Sequence, residues 1–115
     1  MGIASKAIMA QGQASVAVNN LFTPVGDHIR VTDLSSAVVI MPGDLGVNLP
    51  ADKVWIQADT QNVRITLAPT STPTATIGFL IRTTDEIEPI TITDGVVLKA
   101  IEAAGGAALQ VQFGV

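Results

Sequence analysis

Between Val54 and Phe113 apolar and polar side chains alternate in short runs, each cut off by Gly, Pro, Asp or Asn. Alternation with a period of two buries one face of an extended segment and wets the other, so these runs must share a core between sheets. Val54, Ile56 and Ala58 fall on one face of a strand, with Trp55 and Gln57 on the other; Val63, Ile65 and Leu67 repeat the pattern past a turn at Asp59 to Gln61. The pair reads as a hairpin. Ile77 to Arg82 reads as a strand in which Gly78 lets a neighbouring backbone or ring come close. Ile90 with Ile92, Val96 to Ile101, and Leu109, Val111 and Phe113 supply three more, the last two expected to form a hairpin across Gly105-Gly106.

Upstream the pattern is sparser. Residues 1–13 mix alanines with Gly2, Ser5, Gln11, Gly12 and Gln13 without a clean period, and read as an arm that is frayed or contacts another subunit. Ala14 to Val18 is expected to be a first strand, and Ile29 with Val31 a second beyond the turn chemistry of Phe22 to Asp27. Ala37 to Met41 is continuously apolar and fits a strand buried on both faces; Pro42 to Asp52 reads as the longest loop. Ala68 to Thr76, with two prolines, belongs at an edge or on the surface. About eight strands at this spacing predict an all-β fold, a small antiparallel β-sandwich or jelly-roll-like barrel, as one domain over residues 14–115.

Composition narrows function. Charged residues make up 14% of the chain against 48% hydrophobic, where a soluble domain carries about 25% charged. A surface so short of charge points to burial against other copies or a partner. Six basic residues face ten acidic ones for a net charge of −4. With no basic run, phosphate backbones find no clustered cations, and nucleic-acid binding is not expected. Neither a secretory h-region nor a membrane span is read in the sequence. The absence of cysteine removes disulfides and thiolate metal sites.

Catalytic equipment is not legible. His28 is the single histidine, which leaves zinc short of the nitrogen and sulfur ligands it prefers, and a polar strand-edge role beside Asp27 fits better. Asp85, Glu86 and Glu88 form the densest acidic cluster, yet they sit between strands where an exposed turn needs polar residues. No nucleophile elbow and no phosphate-cradling glycine loop occurs. Neither catalytic nor metal-binding residues are assigned, no cofactor is expected, and an enzyme is the last-ranked reading. Arg64, opposite in face to Val63 and Ile65, is expected to offer its planar fork to a carbonyl or carboxylate, bracing a turn or bridging subunits. Trp55 is expected in the core, with an interface anchor as the alternative.

Three phrases, QADTQNVRITL at 57–67, TPTATIGFLI at 72–81 and IEAAGGAALQVQF at 101–113, together resemble small virion proteins encoded among the head genes of tailed bacteriophages. The resemblance covers about half the chain; the first 50 residues fall outside it, and Ala68-Pro69-Thr70-Ser71 replaces an expected Asp-Gly turn. It implies a non-enzymatic structural protein that decorates or cements the capsid. The partners implied are the major capsid protein and the chain itself, as a homo-oligomer such as a trimer, without nucleic acid or membrane. The location implied is the capsid surface of the virion, assembled in the host cytoplasm. Candidate subunit or capsid contacts are Trp55, Gln57, Asn62, Arg64, Leu45 and Val47. The alternative is a carbohydrate-binding or head-fibre module displayed on the virion. The scarcity of aromatic residues weighs against it, and an exposed Trp55 beside Gln57 would favour it.

Overall fold

Among the described residues, eight short strands pair as the two arms of one ribbon folded over at its middle. The structure, a computed structural model, describes residues 21–115; the arm expected over residues 1–13 and the strand expected over 14–18 lie outside them. The strands are β1 (Ile29–Val31), β2 (Val38–Val39), β3 (Lys53–Asp59), β4 (Val63–Thr66), β5 (Phe79–Ile81), β6 (Ile90–Thr91), β7 (Lys99–Glu102) and β8 (Ala108–Gly114). β1 pairs with β8, β2 with β7, β3 with β6 and β4 with β5, all antiparallel. The Thr/Pro connection between β4 and β5 is therefore the bend of the ribbon. Wrapping adds β3–β8 and β4–β7 contacts, which gives two four-stranded sheets in the orders β1-β8-β3-β6 and β2-β7-β4-β5. This is the strand order of a jelly roll, as one of the two forms expected from the sequence.

Both expected hairpins fail. β3 and β4 lie in different sheets, and so do β7 and β8. An arch that steps from one sheet to the other keeps the same apolar face on the same core as a hairpin does, so alternation alone cannot separate them. For β3 and β4, turn chemistry can: tight hairpins favour Asn-Gly, Asp-Gly or Gly-Gly pairs, and Asp59-Thr60-Gln61-Asn62 has none, whereas Gly105-Gly106 suits a hairpin and still bridges two sheets. Thr60 instead takes a left-handed φ of 74°, and the Gln61 N–H closes on the Asp59 carbonyl at 2.9 Å. The Ala103 N–H donates to the Asn62 carbonyl at 2.9 Å, tying the two arches together.

The core lies between the sheets, filled by Val54, Ile56 and Ala58 of β3, Val63 and Ile65 of β4, and Leu109, Val111 and Phe113 of β8, with Leu34, Ile40 and Leu98 from the connections. Ala37 to Met41 is not buried on both faces as expected. It forms a two-residue strand at the edge of the second sheet, where only Ile40 is wholly buried. An edge position leaves the flanks of Val38 and Val39 half-covered, and a continuous apolar run does not reveal which position in the sheet it takes. Among the described residues no edge strand exceeds three residues. That shortness limits the unpaired backbone open to another chain, in a protein with few edge lysines.

Gly78 permits a close backbone approach, as its place in the sequence suggested. Its φ is 125°, and a Cβ there would lie 2.7 Å from the Ile65 carbonyl oxygen. Replacing it with alanine combines backbone strain with a clash against a sheet carbonyl. Gly78→Ala is expected to lower stability by at least about 2 kcal/mol in urea denaturation, and a loss under about 0.5 kcal/mol would contradict this geometry.

Candidate functional site

Antiparallel registers sort the connections onto two ends of the sandwich. Segments 32–37, 60–62, 82–89 and 103–107 leave from one end, here the arch end. Segments 40–52, 67–78 and 92–98 leave from the other, the loop end, together with residues 21–28 and Val115. Thr23 and Val115 exchange backbone hydrogen bonds of 2.8 and 2.9 Å there, and Lys53 Nζ donates to the Leu21 carbonyl at 2.6 Å. Among the described residues, the exposed large hydrophobic side chains are Leu21, Leu49, Ile77, Phe79, Val115 and Trp55. All but Trp55 belong to the loop end. Phe79 shares its face with buried Ile81 but is 67% exposed. It borders an open hollow of about 380 Å³ lined also by Ile65, Leu67 and Ala68.

The residues singled out in the sequence separate into framework and surface. Arg64 braces its own chain: Nε donates to the Ala75 carbonyl at 3.1 Å and Nη1 to the Gly78 carbonyl at 2.9 Å, so the guanidinium clasps the bend of the ribbon. Asn62 joins three connections at the arch end, its side-chain oxygen accepting from the Thr83 N–H at 3.2 Å while its carbonyl holds Ala103. Leu45 and Val47 are half-buried and pack on the core, the former in a 3-10 turn, Gly43–Leu45. Leu49, which the alternation did not mark, is the residue of that loop left 55% exposed. Thr74 Oγ1 accepts from the Thr76 and Ile77 N–H groups at 3.2 and 3.0 Å, shaping the polar turn inside TPTATIG. The 57–67 phrase thus holds both of the others, through Arg64 on Ala75 and Gly78 and through Asn62 on Ala103.

Trp55 does not lie in the core. It stands on the outer face of the first sheet, 45% exposed, with Nε1–H donating to the Ile87 carbonyl at 2.9 Å and its ring edge-to-face with Phe22 at 5.5 Å. The core is satisfied by the opposite face of β3, and the indole finds its polar partner in the segment entering β6. Gln57 is exposed on the same face.

Along that face, His28 Nε2 lies 2.7 Å from Gln110 Oε1, Gln110 Nε2 donates to Asp59 Oδ2 at 3.0 Å, and Arg30 Nε donates to the same oxygen at 2.8 Å. The Arg30 hydrogen bond, then that from Gln110, holds the Asp59 carboxyl below its ordinary pKa. Asp33 is lowered too, chiefly by the Ser35 hydroxyl, which donates to it at 2.8 Å. Asp85 accepts from the Arg82 N–H at 2.8 Å and so caps a turn. Among the described residues no three His, Asp or Glu side chains gather as a metal site, and no helix is long and apolar enough to cross a membrane. Comparison of the chain with protein-family models, curated proteins and solved structures gives no match.

A carboxyl with a lowered folded pKa adds stability above its unfolded value, about 3.9, and that contribution is lost as pH falls through the lowered value. NMR titration should therefore find Asp59 with a midpoint below an ordinary aspartate, moving up in Arg30→Ala. A midpoint unchanged by that substitution would contradict the hydrogen-bonded network.

Proposed function

We propose that the chain is a non-enzymatic structural protein of a tailed-bacteriophage virion, decorating or cementing the capsid through contacts with the major capsid protein and with its own copies, in a trimer. The observation that carries this reading is the gathering of exposed apolar side chains at the loop end. Soluble surfaces rarely collect large hydrophobics without a partner to cover them, and here five of the six among the described residues belong to one end of a small sandwich. The low charge of the chain favours the same conclusion, and the three phrases supply the likeness to head-gene proteins. Attachment through the loop end leaves the arch end, with Asp85 and Glu86, turned to solvent.

The test uses particles of the phage whose genome encodes the chain. Mass spectrometry of purified virions should find the protein in a copy number set by shell symmetry, and light scattering of the free chain should give a trimer mass. Leu49→Asp combined with Phe79→Asp should fold with unchanged thermal midpoint, since both side chains are exposed. Its binding to shells should fall about a hundredfold, as for two apolar anchors lost. Wild-type binding by that variant, or absence of the chain from virions, would overturn the reading; a monomer mass would remove the trimer.

A further inference from the structure

The outer face of the first sheet carries a chemistry that the loop end lacks. Trp55 faces Gln112 across the β3–β8 ladder, Gln57 faces Gln110, and Gln110 faces Arg30 of β1 on its other side. Directly opposed side chains on one face stand about 5 Å apart at Cβ, so the indole, three glutamines and the Arg30–Asp59 pair form one continuous belt.

Apart from Gln57, the belt is held in place before anything binds. The Trp55 ring is fixed by its hydrogen bond to Ile87 and by the Phe22 edge. Phe22 is seated over Gly114, where a Cβ would lie 2.5 Å from the phenyl ring. Gln112 Nε2 shares its two N–H groups among the Val25, Gly26 and Phe113 carbonyls at 3.4, 3.2 and 2.9 Å, and its Oε1 accepts no hydrogen bond among the described residues. Gln110 is set by His28 and Asp59. Arg30 uses Nε on Asp59 and keeps its terminal amino groups, while Gln57 makes no side-chain hydrogen bond among the described residues. Immobilised groups bind without losing further rotamer entropy.

We propose that this face is a saccharide platform that takes a neutral hexopyranose oligosaccharide, stacked on Trp55 and hydrogen-bonded by Gln57, Gln112 and Arg30. An aromatic plane suits the C–H face of a pyranose, and amides that both donate and accept suit its hydroxyls. Two cations share this face, Arg30 paired with Asp59 and Lys53 turned to the Leu21 carbonyl four residues along β3 from Gln57; they do not cluster, which favours a neutral ligand over an anionic one. A peptide strand would add to a sheet edge rather than lie on a face. Trp55 is the one large hydrophobic exposed there among the described residues, fewer than a protein hot spot gathers. The platform does not depend on the attachment reading, since it occupies a side of the sandwich and not its loop end.

Trp55 is the only tryptophan and the chain has no tyrosine, so intrinsic fluorescence reports on this face alone. The full chain is titrated separately with cellohexaose, mannohexaose and chitohexaose to about 10 mM, tenfold above a millimolar dissociation constant. At least one should give a saturable blue shift that added salt leaves unchanged, and Gln57→Ala, which removes no contact within the fold, should weaken it about fivefold. By calorimetry, Trp55→Ala should abolish binding of the same sugar. No saturable shift with any of the three would overturn the proposal. So would a shift erased by salt, binding that survives both substitutions, or an emission change on diluting the protein alone, which would mean that a second copy covers the face.

Discussion

Everything else in the molecule hangs on the antiparallel ladder between β3 and β8, which sets Lys53 opposite Gly114 and Asp59 opposite Ala108. These are the two longest strands, and they are neighbours at the centre of the first sheet. Without that ladder the chain would be an open ribbon with its apolar faces in water. With it, β8 brings Leu109, Val111 and Phe113 against Val54, Ile56 and Ala58, and the ribbon closes over a common core. The ladder joins segments far apart in sequence, so its loop-closure entropy must be met by burial rather than by local propensity. Its other face assembles the Trp55 and glutamine belt, since cross-strand register alone brings residues of β1, β3 and β8 together.

Strand positions were legible because alternation is a local property of the chain. Val54 to Ala58, Val63 to Leu67 and Leu109 to Phe113 gave up their inward faces to simple inspection, and Gly78 revealed its close approach by interrupting a strand. Strand partners were not legible. The arches at Thr60 and at Gly105-Gly106 keep the same face inward as hairpins would, so the sequence pattern is identical and only turn geometry differs. Trp55 is expected in the core for a related reason: alternation sets it opposite Val54 and Ile56 but does not say whether that second face is covered too, and in the first sheet it is left open. Leu49 stayed hidden because a loop has no period against which an exposed leucine stands out, and Leu45 and Val47, four and two residues before it, turn inward instead.

The division between framework and surface also explains what the three phrases encode in this chain. Arg64 holds the carbonyls of Ala75 and Gly78, Asn62 holds Ala103 and Thr83, and Gly78 lies against Ile65. These residue types are demanded by the arches and the ribbon bend, so they describe how the jelly roll is built. The surfaces with partner chemistry lie elsewhere, in Leu21, Leu49, Ile77, Phe79 and Val115 at the loop end and in Trp55 and Gln57 on the sheet. A scaffold so arranged can keep its fold while the exposed side chains of its loop end vary, because Leu21, Leu49, Ile77, Phe79 and Val115 stand outside the core that Ile40 and Leu98 help to fill.

Both surfaces exist only if β3 pairs with β8 and not with β4, and the absence of native cysteine allows engineered cross-links to decide this without interference. Gln57→Cys with Gln110→Cys joins register partners, at a Cα separation within disulfide reach. Gln57→Cys with Arg64→Cys joins the positions that a β3–β4 hairpin would oppose, but these stand on the outer faces of two sheets about 10 Å apart, too far to bridge. On mild oxidation the first pair should close within the monomer and the second should remain as thiols, as read by intact mass. Closure of the second pair with the first left open would contradict the wrapped ribbon, and with it both surfaces.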